Sequence, residues 1–176
     1  MKKLVLLSVS VLCIGLLAAN GQSYGVKGGL NFAGIRVDEG SDPDGKVGVH
    51  FGGFLSNEIR NNWSIQGELL FSFQGWEDQN VTYLNIPILA KYNVDSKLSF
   101  HAGPQLGILL GGDNDANDFL TTADATLAFG GEYYFQGNVY GGARYNLGLS
   151  NINDVDGNEV DIFNRVFQIY IGYRVR

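Results

Sequence analysis

Six charged side chains occupy polar positions in segments that are spread along the whole chain, and both signs of charge are present. These residues are Lys27, Glu68, Lys91, Glu132, Arg144 and Arg174. Buried charges are tolerated when each is paired with an opposite charge and hydrogen-bonded. If the fold encloses them, we expect one ionic network that plugs the enclosed lumen, with His101 and Tyr170 nearby. A conduction path or a proton-sensing gate is the alternative use of the same groups.

Two acidic stretches offer a second kind of chemistry, because carboxylate oxygens are ligands that suit Ca²⁺. The candidate ligands are Asp113, Asp115, Asp118, Asp154, Asp156 and Glu159. Neither stretch has the spacing of an EF-hand loop. We therefore predict solvated acidic loops and no metal site, with Ca²⁺ binding as the alternative.

Enzyme chemistry finds little support in the sequence. The two histidines, His50 and His101, both fall on polar faces, and no His-Glu-x-x-His sequence occurs. We also see no nucleophile paired with a base at an exposed position, which a lipid-modifying enzyme would need. We predict a protein with no catalytic residues and no cofactor.

The elements that must position these groups are eight segments in which polar and apolar residues alternate. They span residues 24–35, 47–59, 63–76, 81–94, 98–111, 123–135, 139–150 and 165–175. In the fifth, Phe100, Leu106 and Ile108 share one face, whereas His101 and Gln105 share the other. A period of two residues is typical of β-strands.

The connections between these segments alternate in length. Short connections of three residues lie at 60–62, 95–97 and 136–138, and longer polar ones lie at 36–46, 77–80, 112–122 and 151–164. We therefore expect one rim with short turns and one rim with long loops. Pro87 and Pro104 lie inside strand segments, where each removes a backbone donor and predicts a bulge or a local gap.

Two kinds of barrel fit this alternation, and the interior volume distinguishes them. Eight strands enclose a space just wide enough for side chains or one small ligand. The apolar faces carry several large side chains per strand, whereas the opposite faces are rich in Gly, Ser, Asn and Gln. We predict an all-β fold, an eight-stranded antiparallel up-and-down transmembrane β-barrel whose apolar face contacts outer-membrane lipid. A soluble ligand-binding barrel, with the apolar face inside, is the alternative.

Three aromatic residues stand near the short-turn ends of the predicted strands, where an aromatic girdle belongs. These are Trp63, Tyr92 and Tyr173. Residues 1–21 resemble a cleaved secretory signal, because Lys2 and Lys3 precede an apolar stretch that ends in small residues. A transmembrane anchor is the alternative for this stretch, and residues 22–176 form the predicted barrel domain.

Overall charge excludes one class of partner. The chain has 12 Lys and Arg against 18 Asp and Glu, which gives a formal net charge of −6. Without Lys2 and Lys3 the counts become 10 and 18, and the net charge becomes −8. Phosphate neutralisation needs clustered cations, so we expect no nucleic-acid partner.

Several strand sequences resemble a known family. They are "YGVKGGLNFAGI" (24–35), "YLNIPILAKYNV" (83–94), "FHAGPQLGILLGG" (100–112), "GGARYNLGLSNI" (141–152) and "IYIGYRVR" (169–176). Together they are similar to the PorT-like outer-membrane β-barrel family of the Gram-negative Bacteroidota. The resemblance implies a small barrel of the OmpA/OmpX type, delivered to the outer membrane by the secretory and barrel-assembly machineries. The founding member of that family is associated with protein secretion.

Three hypotheses about function follow. The first is a non-enzymatic outer-membrane barrel with a plugged lumen, which acts in envelope structure, adhesion or interaction through its acidic loops. The second is an accessory protein for transport or secretion that binds a protein partner at those loops. The third is the soluble periplasmic ligand-binding barrel.

Overall fold

The protein folds as a closed β-barrel of eight strands in the computed structural model. The structure describes residues 22–37, 45–76, 79–112, 123–150 and 162–175. The strands are β1 (Gln22–Val37), β2 (Lys46–Arg60), β3 (Trp63–Trp76), β4 (Gln79–Asn93), β5 (Leu98–Gly112), β6 (Ala123–Gln136), β7 (Val139–Gly148) and β8 (Ile162–Arg174). Each strand pairs antiparallel with the next, and β8 pairs with β1, so these eight strands leave no free sheet edge. The predicted fold class is confirmed.

Residues 1–21, for which we predict a secretory signal, lie outside the described residues. No helix in the described ranges is long and apolar enough to cross a membrane.

The strands are strongly staggered around the barrel. Paired positions lead from Gln22 through each successive strand and return to β1 at Phe32, ten residues further along. In a barrel, this stagger fixes the strand tilt and, with the strand number, the width of the interior. The lumen is therefore narrow, and inward side chains from non-adjacent strands can reach one another.

The two faces of the barrel wall differ in chemistry as predicted. Outward residues are apolar and accessible, and Phe71 and Ile169 are each 41 % exposed. Inward neighbours such as Gln66 and Glu68 are at most 4 % exposed. The apolar surface of this protein therefore lies on the outside of the barrel, which is the orientation that a bilayer requires.

The short turns at one rim are tighter than the sequence predicts. Two of them contain two residues, 61–62 and 137–138, and the third occupies 94–97. Asn61 (φ 51°) and Gly137 (φ 61°) adopt the left-handed conformation in the two tightest turns. A register shift beside each of these turns inserts one extra residue. That extra residue keeps the apolar face outward on both flanking strands, as a three-residue turn would.

The third short turn is stabilised by a side chain. The carboxylate of Asp95 accepts hydrogen bonds from the backbone N–H groups of Lys97 (2.7 Å) and Leu98 (2.8 Å). These bonds favour the ionised carboxyl, so they lower the pKa of Asp95 below its usual value.

Both strand prolines interrupt the ladder, as predicted. Between β3 and β4, pairing stops after Gly67 and Ile88 and resumes at Leu70 and Asn85, which brackets Pro87. Between β4 and β5, the same kind of gap brackets Pro104. The register is the same on both sides of each gap, so the prolines cost hydrogen bonds without displacing a strand.

Adjacent glycines on β2 illustrate how tightly the inner wall is packed. A Cβ atom added to the inward Gly52 would lie 2.0 Å from the backbone oxygen of Leu69. A Cβ atom added to the outward Gly53 would have its nearest neighbour, the backbone oxygen of Gly25, at 3.4 Å. Glycine is therefore required at position 52 and optional at position 53.

We predict that G52A lowers the free energy of unfolding by about 1–3 kcal/mol, the usual cost of overpacking. G53A, the matched control one residue away, should change it by less than about 0.5 kcal/mol. Urea unfolding of the refolded protein in detergent or lipid, followed by tryptophan fluorescence, measures both values. Equal effects of the two substitutions would contradict the inward placement of Gly52.

Candidate functional site

The centre of the lumen is built around the carboxylate of Glu68 on β3. Arg144 on β7 donates two hydrogen bonds to it, from Nη1 to Oε2 and from Nη2 to Oε1, each 2.8 Å long. Lys27 on β1 places Nζ 2.7 Å from Oε2, and Gln66 donates to Oε1 at 2.7 Å. All four residues are buried. One carboxylate therefore binds two cations that arrive from different sides of the barrel.

A second ion pair lies nearer the short-turn rim. Lys91 on β4 pairs with Glu132 on β6, and both residues are buried. The hydroxyl of Tyr170 on β8 donates to the other oxygen of Glu132 at 3.1 Å. Both oxygens of this carboxylate thus have a partner.

Tyr170 joins the two ion clusters. The Nζ atom of Lys27 lies 4.2 Å from the centre of its ring, close enough for a cation–π interaction. His101 joins the network through Arg144, because its Nε2 accepts a hydrogen bond from Arg144 Nε at 3.1 Å. An accepting Nε2 carries no proton, so this imidazole is neutral.

Arg174 takes a different role from the other five charged residues of the predicted network. It donates a hydrogen bond to the hydroxyl of Tyr134, and its guanidinium lies 4.5 Å from the centre of that ring. Lys91 Nζ lies 3.4 Å from the same hydroxyl. Arg174 therefore contacts the network through a phenol. Tyr134 was missed in the sequence, although it follows Glu132 by two residues and so shares its inward face.

An uncharged polar layer lies between the ion network and the long-loop rim. Asn31 Oδ1 is bonded to His50 Nδ1 and to Gln168 Nε2, each at 2.8 Å, and Asn31 Nδ2 donates to Ser72 Oγ at 2.9 Å. This layer also contains buried polar atoms of Asn85, Gln105, Thr126 and Asn146 that have no hydrogen-bond partner in the described part of the chain. The layer lines this part of the lumen with buried polar side chains.

The predicted aromatic girdle residues lie on the outer face near the short-turn rim. Trp63 and Tyr92 are cross-strand partners with ring centres 5.0 Å apart. Tyr173 is 48 % exposed at the end of β8. Amphipathic rings at such positions suit the membrane–water interface.

The remaining predicted site residues are the candidate Ca²⁺ ligands of the two acidic stretches. Asp113, Asp115, Asp118, Asp154, Asp156 and Glu159 lie outside the described residues. Within the described ranges, no group of three or more His, Cys, Asp or Glu side chains has the arrangement of a metal site.

One short sequence pattern imitates a catalytic motif, because residues 21–25 run Gly-Gln-Ser-Tyr-Gly and match the letters of a nucleophile elbow. That motif requires a strand-to-helix turn. Ser23 instead lies within β1, paired with Ser56. The match is therefore a strand sequence and not an elbow.

Comparison with known proteins agrees with this geometry. The sequence profile of the family described as "Outer membrane protein beta-barrel domain" matches residues 18–154. This chain belongs to that family of outer-membrane proteins. No curated protein sequence matches the chain significantly.

Solved structures of small outer-membrane barrels share the fold. The attachment invasion locus protein Ail of Yersinia pestis superimposes with a TM-score of 0.57 at 16 % identity, covering 89 % of this chain and 99 % of Ail. Neisserial surface protein A superimposes with a TM-score of 0.53 at 17 % identity, covering 88 % of this chain and 99 % of that protein. At these identities the likeness concerns the fold.

We predict that E68Q lowers the free energy of unfolding by about 3–5 kcal/mol, because it leaves Lys27 and Arg144 buried without their shared counter-charge. The control E58Q removes the same charge at an exposed position and should change stability by less than about 0.5 kcal/mol. Urea unfolding in the same lipid measures both. A loss for E68Q no larger than that for E58Q would show that the central ion cluster contributes nothing to stability.

Proposed function

We propose that the protein is a non-enzymatic outer-membrane barrel whose lumen is plugged by its own side chains and which acts through its long acidic loops. The observation that carries the proposal is the Glu68 cluster, in which Lys27 and Arg144 meet one carboxylate across the lumen at 2.7–2.8 Å. A solute passing through would have to break several charge-assisted hydrogen bonds at once.

A plugged lumen leaves the rims as the surfaces that meet water, since the outer wall contacts lipid. The long loops at one rim include residues 112–122 and 151–164, which are rich in Asp. Ail, the Yersinia pestis barrel of similar fold, is an attachment invasion locus protein. A structural, adhesive or interaction role at the long-loop rim suits a barrel of this architecture.

A second candidate function is an accessory role in transport or secretion, which would follow from membership of the PorT-like group. The strand motifs at 83–94, 100–112 and 141–152 support that membership. A cavity of about 290 Å³ at the short-turn rim favours this candidate, because Lys91, Ser99 and Arg174 line it on the side opposite the long loops. A partner on that side would meet cations and hydroxyl groups together with the carboxylates of Glu58 and Asp95.

Outer-membrane lipid is the surrounding partner in either case, and we propose that the secretory and barrel-assembly machineries deliver the chain after removal of residues 1–21.

A soluble ligand-binding barrel would require the opposite orientation of the strands, with Phe71 and Ile169 enclosed. Both are exposed on the outer wall.

We predict that replacing residues 113–120 with a short Gly-Ser turn leaves a folded barrel in the outer membrane but removes the protein's contacts at that rim. A photo-reactive amino acid placed at position 156, on the neighbouring long loop, would report those contacts by crosslinking on intact cells. The same probe at Ser96 in a short turn is the control, and the loop replacement should leave its crosslinks unchanged.

If the loop replacement changes no crosslink at position 156, the interaction role of this loop is wrong. Crosslinks to a partner at Ser96 that persist in the loop-replaced variant would instead identify the short-turn rim as the interacting surface, which favours the secretion accessory. Heat-modifiable migration on a gel establishes that the variant remains a closed barrel.

A further inference from the structure

Arg174 is a half-buried cation at the short-turn rim, and the described part of the chain gives it no carboxylate partner. Its Nη2 atom donates a hydrogen bond to the hydroxyl of Tyr134, and its guanidinium lies against the ring of the same residue. Its Nε atom is buried and has no hydrogen-bond partner among the described residues. A partly buried cation is stabilised by an opposite charge, which this guanidinium can obtain from a solute.

The hydroxyl of Tyr134 brings a second cation to the same place. Lys91 Nζ lies 3.4 Å from the oxygen to which Arg174 donates. Glu132 already supplies the counter-charge of Lys91, so Lys91 offers further N–H groups without adding net charge. Two cationic groups from β4 and β8 therefore meet at one phenol oxygen, and the net charge of this group of residues comes from Arg174.

Ser99 on β5 supplies a third polar group. It is 1 % exposed, and its Oγ atom has no hydrogen-bond partner in the described ranges. Ser99 pairs with Asn93, two residues from Lys91 on β4, so it shares the inward face of Lys91. Ser99, Lys91 and Arg174 all line the cavity of about 290 Å³ at the short-turn rim, and the hydroxyl of Ser64 is also on its wall. The cavity is therefore large enough for a small solute and is lined at depth by donors.

Two carboxylates line the same cavity, and both belong to exposed residues, Glu58 and Asp95. Lys97, which is also exposed, lies among them. The carboxylate of Asp95 already accepts two backbone N–H groups of its own turn. Exposed charges are screened by salt, whereas buried groups are screened much less. The buried donors therefore decide which solute the cavity binds.

We propose that this cavity binds the oxyanion group, a carboxylate or a phosphate, of a small solute. Arg174 Nε and Ser99 Oγ donate to it, and Lys91 is a third donor. Hydrogen bonds between a guanidinium and an oxyanion are charge-assisted and are about twice as strong as neutral ones. Tyr134 acts as a positioning residue, because it holds the guanidinium of Arg174 by its ring and its hydroxyl. The site goes beyond the proposed function, since it needs neither the long loops nor a protein partner.

The test titrates inorganic phosphate into the full-length protein refolded in a neutral detergent, with sodium chloride adjusted to keep the ionic strength constant. In the ¹H–¹⁵N NMR spectrum, the Nε–H signal of Arg174 is assigned by its absence in R174K. We expect this signal to shift with phosphate until it saturates, and not to shift with chloride alone. The backbone amide at position 99 reports binding in every variant. Acetate should compete with phosphate, and the tighter of the two shows whether the site prefers a carboxylate or a phosphate.

Four substitutions make the result specific. R174Q should weaken phosphate binding at least about tenfold, the effect of losing a hydrogen bond to a charged group. S99A should weaken it about fivefold, the effect of losing one hydrogen bond. The controls K97Q and S96A remove an exposed charge and an exposed hydroxyl from the same rim, and each should change the affinity by less than about twofold.

Equal losses of affinity in R174Q and K97Q would overturn the proposal, because binding would then follow the net charge of the rim. An Arg174 signal that does not move with phosphate would overturn it as well, and so would wild-type affinity in S99A. If R174Q fails to fold, S99A against S96A decides the matter, since the hydroxyl of Ser99 has no partner whose loss would unfold the barrel. The crosslinks at the long loops can succeed or fail without changing any of these outcomes.

Discussion

The shared carboxylate of Glu68 is the interaction on which the interior of this barrel depends. It receives Lys27 from β1 and Arg144 from β7, so it connects β3 to two strands that are separated by β8 in the barrel wall. Without it, two cations would remain buried in a narrow space without their shared counter-charge. Tyr170 also contacts Glu132, which pairs with Lys91, so the two ion clusters form one continuous network.

The narrowness that makes this pairing necessary also explains the glycines. Eight strands leave room for only a few large side chains at each level of the lumen. Arg144, Tyr140 and Tyr170 are among the large buried residues, and they take that room. Gly142 lies beside Tyr170, where an added Cβ atom would be 2.5 Å from the ring. Glycine on the inner wall therefore leaves the space that the bulky charged and aromatic side chains of the lumen occupy.

The strands and their orientation could be predicted because alternation is a local property. Residues such as Phe71, Glu68 and Gln66 can be assigned to a face from their neighbours alone. The partners of each charge could not be predicted, since Glu68 and Arg144 are 76 residues apart and meet only through the stagger of the closed barrel. Tyr134 and Gln66 each share a face with a charged residue two positions away. Their place in the lumen could therefore have been predicted from the alternation.

Single-channel recording of the refolded wild-type protein in a planar lipid bilayer tests the plugged lumen most directly. The network around Glu68 predicts a closed baseline, with no steady conductance of the size seen for porins. A stable open level of that size in the wild-type protein would contradict the account, because ions would then pass where Lys27, Glu68 and Arg144 meet.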